Sequence, residues 1–576
     1  MPDDSSPQQR TDSRGHRGRL ELTWTNKDDR LVSREDGSYE WVPPSDYRVA
    51  EVHLLHDAAA VGEDSDANLL IRGDALHALA SLAELPKYES RYLGRVKLAY
   101  LDPPFNTQQV FAQYDDALEH SVWLTMMRDR LLQVKRLLAD DGSVWVHCDD
   151  SEQARLKVVM DEVFGSDCFV ATFIWQKVDS PSENTSAVFT DHDYIVCYSA
   201  QPEGQTFKPR SDPSVLDAFK KDEDGKLYRD RLLRKNGKDS LRSDRPGMWF
   251  PIKGPDGKNV WPVDDDGIER RWGRSKARVN DALDEIIWKR RKRKGGKEHW
   301  VPYVREYARD EPFKPWPTIW SDVLTSRQSK AHLKELLPGT PVFATPKPET
   351  LMKRILEIGS SPGDIVLDCF LGSGTTAAVA HKLDRRWVGI EWSKETVAKF
   401  VIPRLEKVVA GDDTGGISET ADWTGGGGFR VLDVGASMFE SDEGEVVLAE
   451  WATNGKLAEA TAAQLHFTVE DDAPFCGRKG KHRLAVVDGL ISASVVELLV
   501  SRLDESEELT LCGTSVDPNA TDRLKELRPG SRIKKIPASL LADYQQSSRW
   551  KPPRLRATSA SSSDKQPSRP KAESVA

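Results

Sequence analysis

Apolar positions recur along this chain with two periods, and the two alternate. Leu69-Leu70-Ile71 is a short apolar run that ends in Gly73-Asp74, and residues 75–85 then carry apolar side chains at helical spacing through Leu76, Leu79 and Leu82. Val96-Lys-Leu-Ala-Tyr-Leu101 is a strand pattern that runs straight into Asp102. Residues 120–138 return to the helical period through Val122, Leu124, Met127, Leu131, Val134 and Leu138, and stop at a turn signal, Asp140-Asp141-Gly142. Strand patterns follow at 143–147, 169–176 and 194–199. After residue 351 the alternation resumes: a helix over 351–358, Pro362-Gly363-Asp364, a strand over 365–369, a glycine turn, a helix from about Thr375 and a strand over 386–391. Strands that alternate with helices in this way predict an α/β fold whose mostly parallel sheet is covered on both faces.

Three stretches break the pattern. Residues 201–340 are rich in Lys, Arg, Asp, Trp, Gly and Pro with weak periodicity, and read as an irregular inserted module that divides a core into 21–200 and 341–410. Gly425 to Gly428 mark a flexible break, so 411–428 reads as a linker. Residues 429–550 read as a small C-terminal α/β domain, with strands at 482–487, 509–512 and 533–536 and helices near 494–502 and 520–527. Residues 1–20 and 551–576 are polar and Pro/Ser/Arg-rich, a composition that predicts disordered tails.

A chain of 576 residues is too long for one core and predicts two to four domains. The most apolar stretch, 484–500, is broken by Asp488, Gly489 and Glu497, so no membrane span is expected. The N-terminus carries no apolar signal core, which predicts a cytoplasmic protein. The six cysteines are scattered without a CxxC pair and mostly lie in apolar runs, so neither a disulfide framework nor a metal site is expected. A net charge of −10 argues against a uniformly basic surface. A local basic face is what matters for a polyanion, and Lys289, Arg290, Arg291, Lys292, Arg293, Lys294 and Lys297 supply one within the inserted module. The bland reading of any such run is a solvated face.

Two strings carry chemistry. Asp368-Cys-Phe-Leu-Gly372-Ser-Gly374-Thr375 ends a strand and opens a helix. Its glycines let the backbone turn sharply and a ligand approach closely, and the helix N-terminus offers N–H groups to an anion. The next strand delivers Glu391, an acid placed to accept hydrogen bonds from two ribose hydroxyls. Gly372-x-Gly374-x-x-Ala377 also satisfies the dinucleotide fingerprint, so this string alone leaves a dinucleotide and S-adenosylmethionine (SAM) equally open. Asp102-Pro103-Pro104-Phe105 separates them. Its prolines hold the loop extended, the carboxylate and the Pro103 carbonyl can accept hydrogen bonds from a planar NH₂, and Phe105 offers a flat face for a base. That geometry aims an amine nitrogen at a methyl sulfonium without a covalent intermediate.

These strings, with Asn68 to Asp74, Trp123-Leu124, Met127 to Leu131, Asp141 to His147, Phe189 to Ile195 and Thr345-Pro-Lys347-Pro-Glu349, resemble SAM-dependent amino-methyltransferases of DNA. The motif order, amine loop before SAM loop, is similar to that of the modification subunits of type III restriction systems. The resemblance spans about residues 68–406. It implies a Rossmann-like SAM-methyltransferase sheet with an inserted target-recognition module and a small C-terminal α/β domain for dimerisation or partner docking. It also implies SAM as cofactor, and adenine N6 as the target because the loop opens with Asp. The roles it carries over are Asp102, Pro103, Pro104 and Phe105 for catalysis, and Asp74, Lys347, Asp368, Phe370, Gly372, Gly374, Thr375 and Glu391 for the cofactor. The implied partners are double-stranded DNA, a second copy of the chain and a separate helicase-nuclease restriction subunit. Cytosine N4, RNA or a protein amide are the alternative targets, and a DNA-binding protein with a silent catalytic fold is the non-enzyme alternative.

Overall fold

The structure is a computed structural model that describes residues 21–547, apart from 34–38, 107–108, 111–114, 117–118, 181–187, 203–206, 293–297, 309–311 and 453–455. The two tails and part of the basic run, Arg293, Lys294 and Lys297, lie outside the described residues. The chain divides into two compact units, one of residues 1–206 with 319–576 and one of residues 207–318.

The first unit is built on a ten-stranded sheet. In chain order its strands are β1 (Leu55–Gly62), β2 (Leu69–Arg72), β3 (Val96–Leu101), β4 (Leu138–Cys148), β5 (Phe169–Gln176), β6 (His192–Ser199), β7 (Ile319–Trp320), β8 (Ile365–Asp368), β9 (Arg386–Glu391) and β10 (Gly428–Val434). They lie in the order β7-β5-β6-β4-β3-β8-β9-β2-β10-β1. The six strands from β4 to β10 are all parallel, and antiparallel pairs appear toward the margins, β4 with β6, β6 with β5 and β10 with β1. The central strands are buried on both faces, which is why they read as unbroken apolar runs rather than alternating ones. Helices α1 (Ala75–Glu84), α2 (His120–Leu137) and α3 (Gln153–Phe164) pack Leu79, Leu82, Met127, Leu131, Leu156 and Met160 into the same core as Ile71, Leu101, Val146 and Leu367.

Two strands depart from the sequence expectation. Residues 428–434 form β10 of this sheet rather than the start of a separate C-terminal domain: Arg430 to Asp433 pair in parallel with Leu69 to Arg72. Strand β1 was not expected at all, because its central residues His56 to Ala60 are exposed and carry no alternation. The turn expected at Asp140 to Gly142 lies inside β4, where the register against β3 shifts between Val96 and Leu98.

A second sheet of five strands, β11 (Thr468–Asp472), β12 (Phe475–Lys479), β13 (His482–Ile491), β14 (Glu508–Val516) and β15 (Arg532–Lys535), lies in that order. It begins antiparallel and becomes parallel from β13 onward. Leu484, Cys512 and Ile536 pack on one side, and Ala485, Val496, Leu509 and Leu524 on the other. No helix among the described residues is long and apolar enough to cross a membrane.

The 207–318 unit holds a four-stranded antiparallel sheet whose main strands are Leu227–Leu232, Ile286–Lys292 and Glu298–Tyr307. Its core is small, formed by Leu233, Phe250, Ile252, Trp272, Val279 and Val304. Trp272 also donates its indole N–H to the Phe250 carbonyl at 2.7 Å, pinning one loop to another where strands are too short to do so.

Leu367 lies fully buried in the central strand β8. Leu367→Ala is expected to cost about 2–5 kcal/mol of unfolding free energy, measured by urea titration; a change below about 0.5 kcal/mol would mean that the sheet centre is not packed as described.

Candidate active site

Strands β3 and β8 are neighbours at the centre of the sheet, and the chain leaves them in opposite directions, from β3 toward β4 and from β8 toward β9. Their carboxyl ends therefore open on a crevice at a topological switch point, the usual ligand position in such sheets. Asp102 follows β3 directly, and Asp368 is the last residue of β8.

The amine loop is held from three sides. Trp123 donates its indole N–H to the Pro104 carbonyl at 2.6 Å. Asn106, in the left-handed region at φ 62°, donates from Nδ2 to Glu152 Oε1 at 2.7 Å; Glu152 is fully buried and also holds His120. Phe105 stacks on His147, with ring centroids 5.5 Å apart and planes 24° from parallel. The His147 ring is itself fixed by Tyr100 Oη on Nδ1 at 2.8 Å and Asp193 on Nε2 at 3.3 Å, and Lys177 closes the row on Asp193 at 2.7 Å. Burial keeps His147 below the usual imidazole range, with the Lys347 charge adding to it. Burial works against ionisation of Asp193, but His147 and Lys177 outweigh it and pull its carboxyl down to about 2. His147 is thus a packed support under the aromatic platform, not a nucleophile.

Lys347 was expected at the cofactor and is found on the acceptor. Its Nζ lies 2.7 and 2.6 Å from the two Asp102 carboxylate oxygens and 5.0 Å from the Phe105 ring centroid.

The glycine turn is shaped by Gly372 at φ 54° and Gly374 at φ 80°, conformations that residues with a Cβ rarely adopt. Asp368 Oδ1 accepts the Phe370 N–H at 2.9 Å. The two Glu391 oxygens accept the Gly372 and Ser393 N–H groups at 2.9 and 3.0 Å, so this acid ties two strand tips together. Burial pushes the Asp368 carboxyl up to about 7, against hydrogen bonds from Thr376 and the Phe370 N–H, and the Asp102 and Glu391 charges push in the same upward direction. Burial raises Glu391 as well. Asp74 caps α1 through the Leu76 N–H at 2.7 Å and pairs with Arg130 at 2.9 Å. It stands two residues past Arg72, the register partner of Glu391, so the structure brings these acids to one edge. Phe370 is partly buried against the core. Thr375 faces inward: its Oγ1 accepts Arg404 Nη1 at 2.8 Å, which leaves its backbone as the part turned to the crevice side of the helix start.

Two features were not foreseen. Trp392 follows Glu391 and is 66 % exposed, a large aromatic left open at a strand tip; that combination is the signal that could have found it. Behind the turn, Lys382 Nζ lies 2.8 Å from Glu349 Oε2 and 2.6 Å from Asp413 Oδ2, His332 bonds Asp413 at 3.0 Å, and Arg404 joins Glu349 at 2.8 Å and the Ser373 carbonyl at 3.3 Å. His332, Glu349 and Asp413 bring ligand atoms within 4.8 Å of one another, a metal-like grouping. Lys382, fully buried, already holds the place that a cation would take.

The described part of the basic run, Lys289 to Lys292, is an exposed strand end of the 207–318 unit. Its charges are partly met: Lys289 pairs with Asp230 at 2.7 Å, and Arg290 and Arg291 lie 3.6 and 3.8 Å from Glu298 and Asp265.

Residues 96–401, more than half of the chain, match the family of DNA methylases, from the first residue of β3 to just beyond Glu391. The chain belongs to this family. The methylase is 30% identical over 431 residues to the HindVI Mod subunit of Haemophilus influenzae, described as a type III restriction-modification enzyme; the match covers 66% of this chain and 56% of that one. It is 29% identical over 345 residues to the type II methyltransferase M.KpnI of Klebsiella pneumoniae, covering 56% of this chain and 79% of that one. The chain thus spans little more than half the length of the type III subunit it matches. Among solved structures, the cytosine-N4-specific PvuII DNA methyltransferase aligns at 16% identity and a TM-score of 0.32, covering 62% of this chain and 91% of that one.

Lys382→Met in the methylase leaves Glu349 and Asp413 buried without their shared cation. A loss of about 3–5 kcal/mol is expected, read by urea unfolding. The wild-type melting temperature should not move on adding Mg²⁺, Mn²⁺ or Zn²⁺; a rise would replace the ammonium reading with a metal site.

Proposed function

We propose that the protein transfers a methyl group from SAM to the exocyclic N6 of an adenine flipped out of duplex DNA, as the modification component of a restriction-modification system. The observation that carries this is the pairing of β3 with β8, which sets an amine acceptor, Asp102, beside a glycine turn flanked by Asp368 and Glu391. The donor set fits SAM better than a dinucleotide. Asp102, Asp368 and Glu391 converge on the crevice; a pyrophosphate would work against the ionised forms of these acids, whereas an ammonium and a sulfonium favour them. Glu391 suits the ribose hydroxyls, Asp368 the ammonium, Lys347 the carboxylate, and the exposed face of Trp392 the adenine ring. When bound, SAM supplies a methyl group on a positively charged sulfur.

The remaining steps belong to the chain. Asp102 and the Pro103 carbonyl accept the two N–H groups of the amine and hold its lone pair toward the methyl donor. Phe105, backed by His147, carries the extruded base on its other face. The proton that the nitrogen sheds on gaining a methyl group passes to Asp102 and on to solvent. The Asp at the head of the loop and the likeness to a type III Mod subunit favour adenine. The 207–318 unit, with its basic strand end, is assigned to target recognition through phosphate and groove contacts. The five-stranded C-terminal sheet is assigned to docking of a second copy or of a restriction subunit.

The test is to incubate the purified protein with duplex DNA and methyl-labelled SAM and to analyse the digested nucleosides by mass spectrometry. N6-methyladenine is expected; N4-methylcytosine would move the target atom, and no methylated nucleoside would defeat the reading. Asp102→Ala should reduce methyl transfer by at least about a hundredfold while SAM binds no more weakly than to the wild type.

A pH dependence follows from Asp368. Between its ordinary value, 3.8, and about 7, the folded protein holds a proton that the unfolded chain has lost, so ionising Asp368 costs stability as pH rises through that window. An ammonium ligand favours the ionised form. SAM affinity should therefore rise roughly tenfold from pH 6 to pH 8 and level off above, with proton release on binding at pH 6, both read by calorimetry. A flat profile would remove Asp368 from the ammonium.

A further inference from the structure

One side chain occupies both halves of the base pocket. The Lys347 ammonium lies within 2.7 Å of both Asp102 oxygens and over the Phe105 ring. An amine arriving at Asp102 and a base arriving at Phe105 meet the same obstacle. The contact is well buried, with 8% of the Lys347 side chain and 20% of the Asp102 side chain exposed, so water weakens it little.

The backbone around Lys347 is fixed. Ser329 Oγ donates to the Pro346 carbonyl, Pro348 caps α4 (Glu349–Gly359), and Glu349 is anchored by Lys382 and Arg404. What can move is the four-carbon stem, and what can draw it away is an anion of comparable charge. The methionyl carboxylate of the cofactor is one, and neither adenine nor its amine is.

We propose that Lys347 is a latch on the amine acceptor: it holds Asp102 and covers Phe105 until the cofactor's carboxylate takes its ammonium, so that the base pocket opens only in the cofactor-loaded protein. This rests on the reading of Asp102 and SAM given above. Cofactor and extruded base are then positively coupled, and by linkage each strengthens the other's binding by the same factor. Lys347 acts as a positioning residue, setting which state of Asp102 meets the base.

The test uses the full chain and a duplex carrying 2-aminopurine at the methylated position, whose fluorescence rises on extrusion. In the wild type the signal should be low without ligand and with saturating 5′-methylthioadenosine, which lacks the carboxylate. It should rise with S-adenosylhomocysteine, which carries one, the extrusion equilibrium shifting roughly tenfold. Lys347→Met should give the high signal without any ligand and bind S-adenosylhomocysteine at least about tenfold more weakly. Asp102→Asn, which removes the charge that holds the ammonium, should also lose most of the ligand dependence. A wild-type signal that is equal under all three conditions, or methylthioadenosine acting as well as S-adenosylhomocysteine, would overturn the latch. So would full ligand dependence retained in both variants. Methyl transfer by the same preparation separates the two levels: if it is absent, or unharmed in Asp102→Ala, the underlying reading fails instead.

Discussion

The parallel register between β3 and β8 is the constraint on which the rest depends. Val96, Leu98 and Ala99 pair with Ile365, Val366 and Leu367, so the two strands end at the same edge and deliver Asp102 and Asp368 to one crevice. A slip of one residue would turn each side chain to the other face of the sheet. These partners are more than 250 residues apart, and the whole 207–318 unit sits within the connection. Closing so long a loop is affordable because its entropic cost grows only with the logarithm of its length. A separate unit such as 207–318 can therefore be inserted there without disturbing the register of these strands.

That register brings a charge problem with it. Burial of carboxylates disfavours their ionised form, and the Asp368 carboxyl rises to about 7 as a result. The opposite outcome prevails behind the turn. Glu349 is as deeply buried, and burial alone would raise it, but Arg404 and Lys382 hold it below the usual range. The difference lies in partners: Glu349 has two cations within 2.8 Å, and Asp368 has hydrogen bonds but no cation at that distance among the described residues. The network behind the turn is thus ionised and rigid, and through Arg404 it grips Ser373 and Thr375. The turn itself keeps an acid whose charge is easily stabilised by an incoming cation.

Much of this frame was legible in the sequence. The strand patterns at 96–101 and 386–391 are found over those same residues, because strands buried on both faces leave unbroken apolar runs. The edge strand β1 left no such trace, since solvent accepts Ala, Asp and His there equally. Strand β10 follows three glycines with positive φ, Gly425 to Gly427, which read as a break although the chain passes through them back into the sheet. In the 207–318 unit several strands are two residues long, below the length at which a period can be recognised. At the site, the residue types were readable but the pairings were not. Lys347 and Asp102 are 245 positions apart, and nothing local distinguishes a lysine aimed at a cofactor from one resting on a carboxylate. Thr375 sits in the right turn, yet its hydroxyl is spent on Arg404, a partner that only the packing of α5 (Ile402–Ala410) against the turn reveals.

The charge balance of the crevice connects these points. Asp102, Asp368 and Glu391 gather there; Lys347 meets Asp102 at hydrogen-bond distance, while Asp368 and Glu391 are held by backbone N–H groups. With Lys347 on Asp102, that pair is neutral, and burial raises both of the acids that remain, Asp368 up to about 7 and Glu391 in the same direction. On the reading proposed above, a ligand bringing an ammonium and a carboxylate would change this: the ammonium would favour the ionised form of Asp368, and the carboxylate would compete with Asp102 for Lys347. On that reading the proton shed by the amine would neutralise Asp102, and Lys347 would pair with Asp102 again once that proton has passed to solvent. The acid that would receive the amine is thus also the resting partner of Lys347.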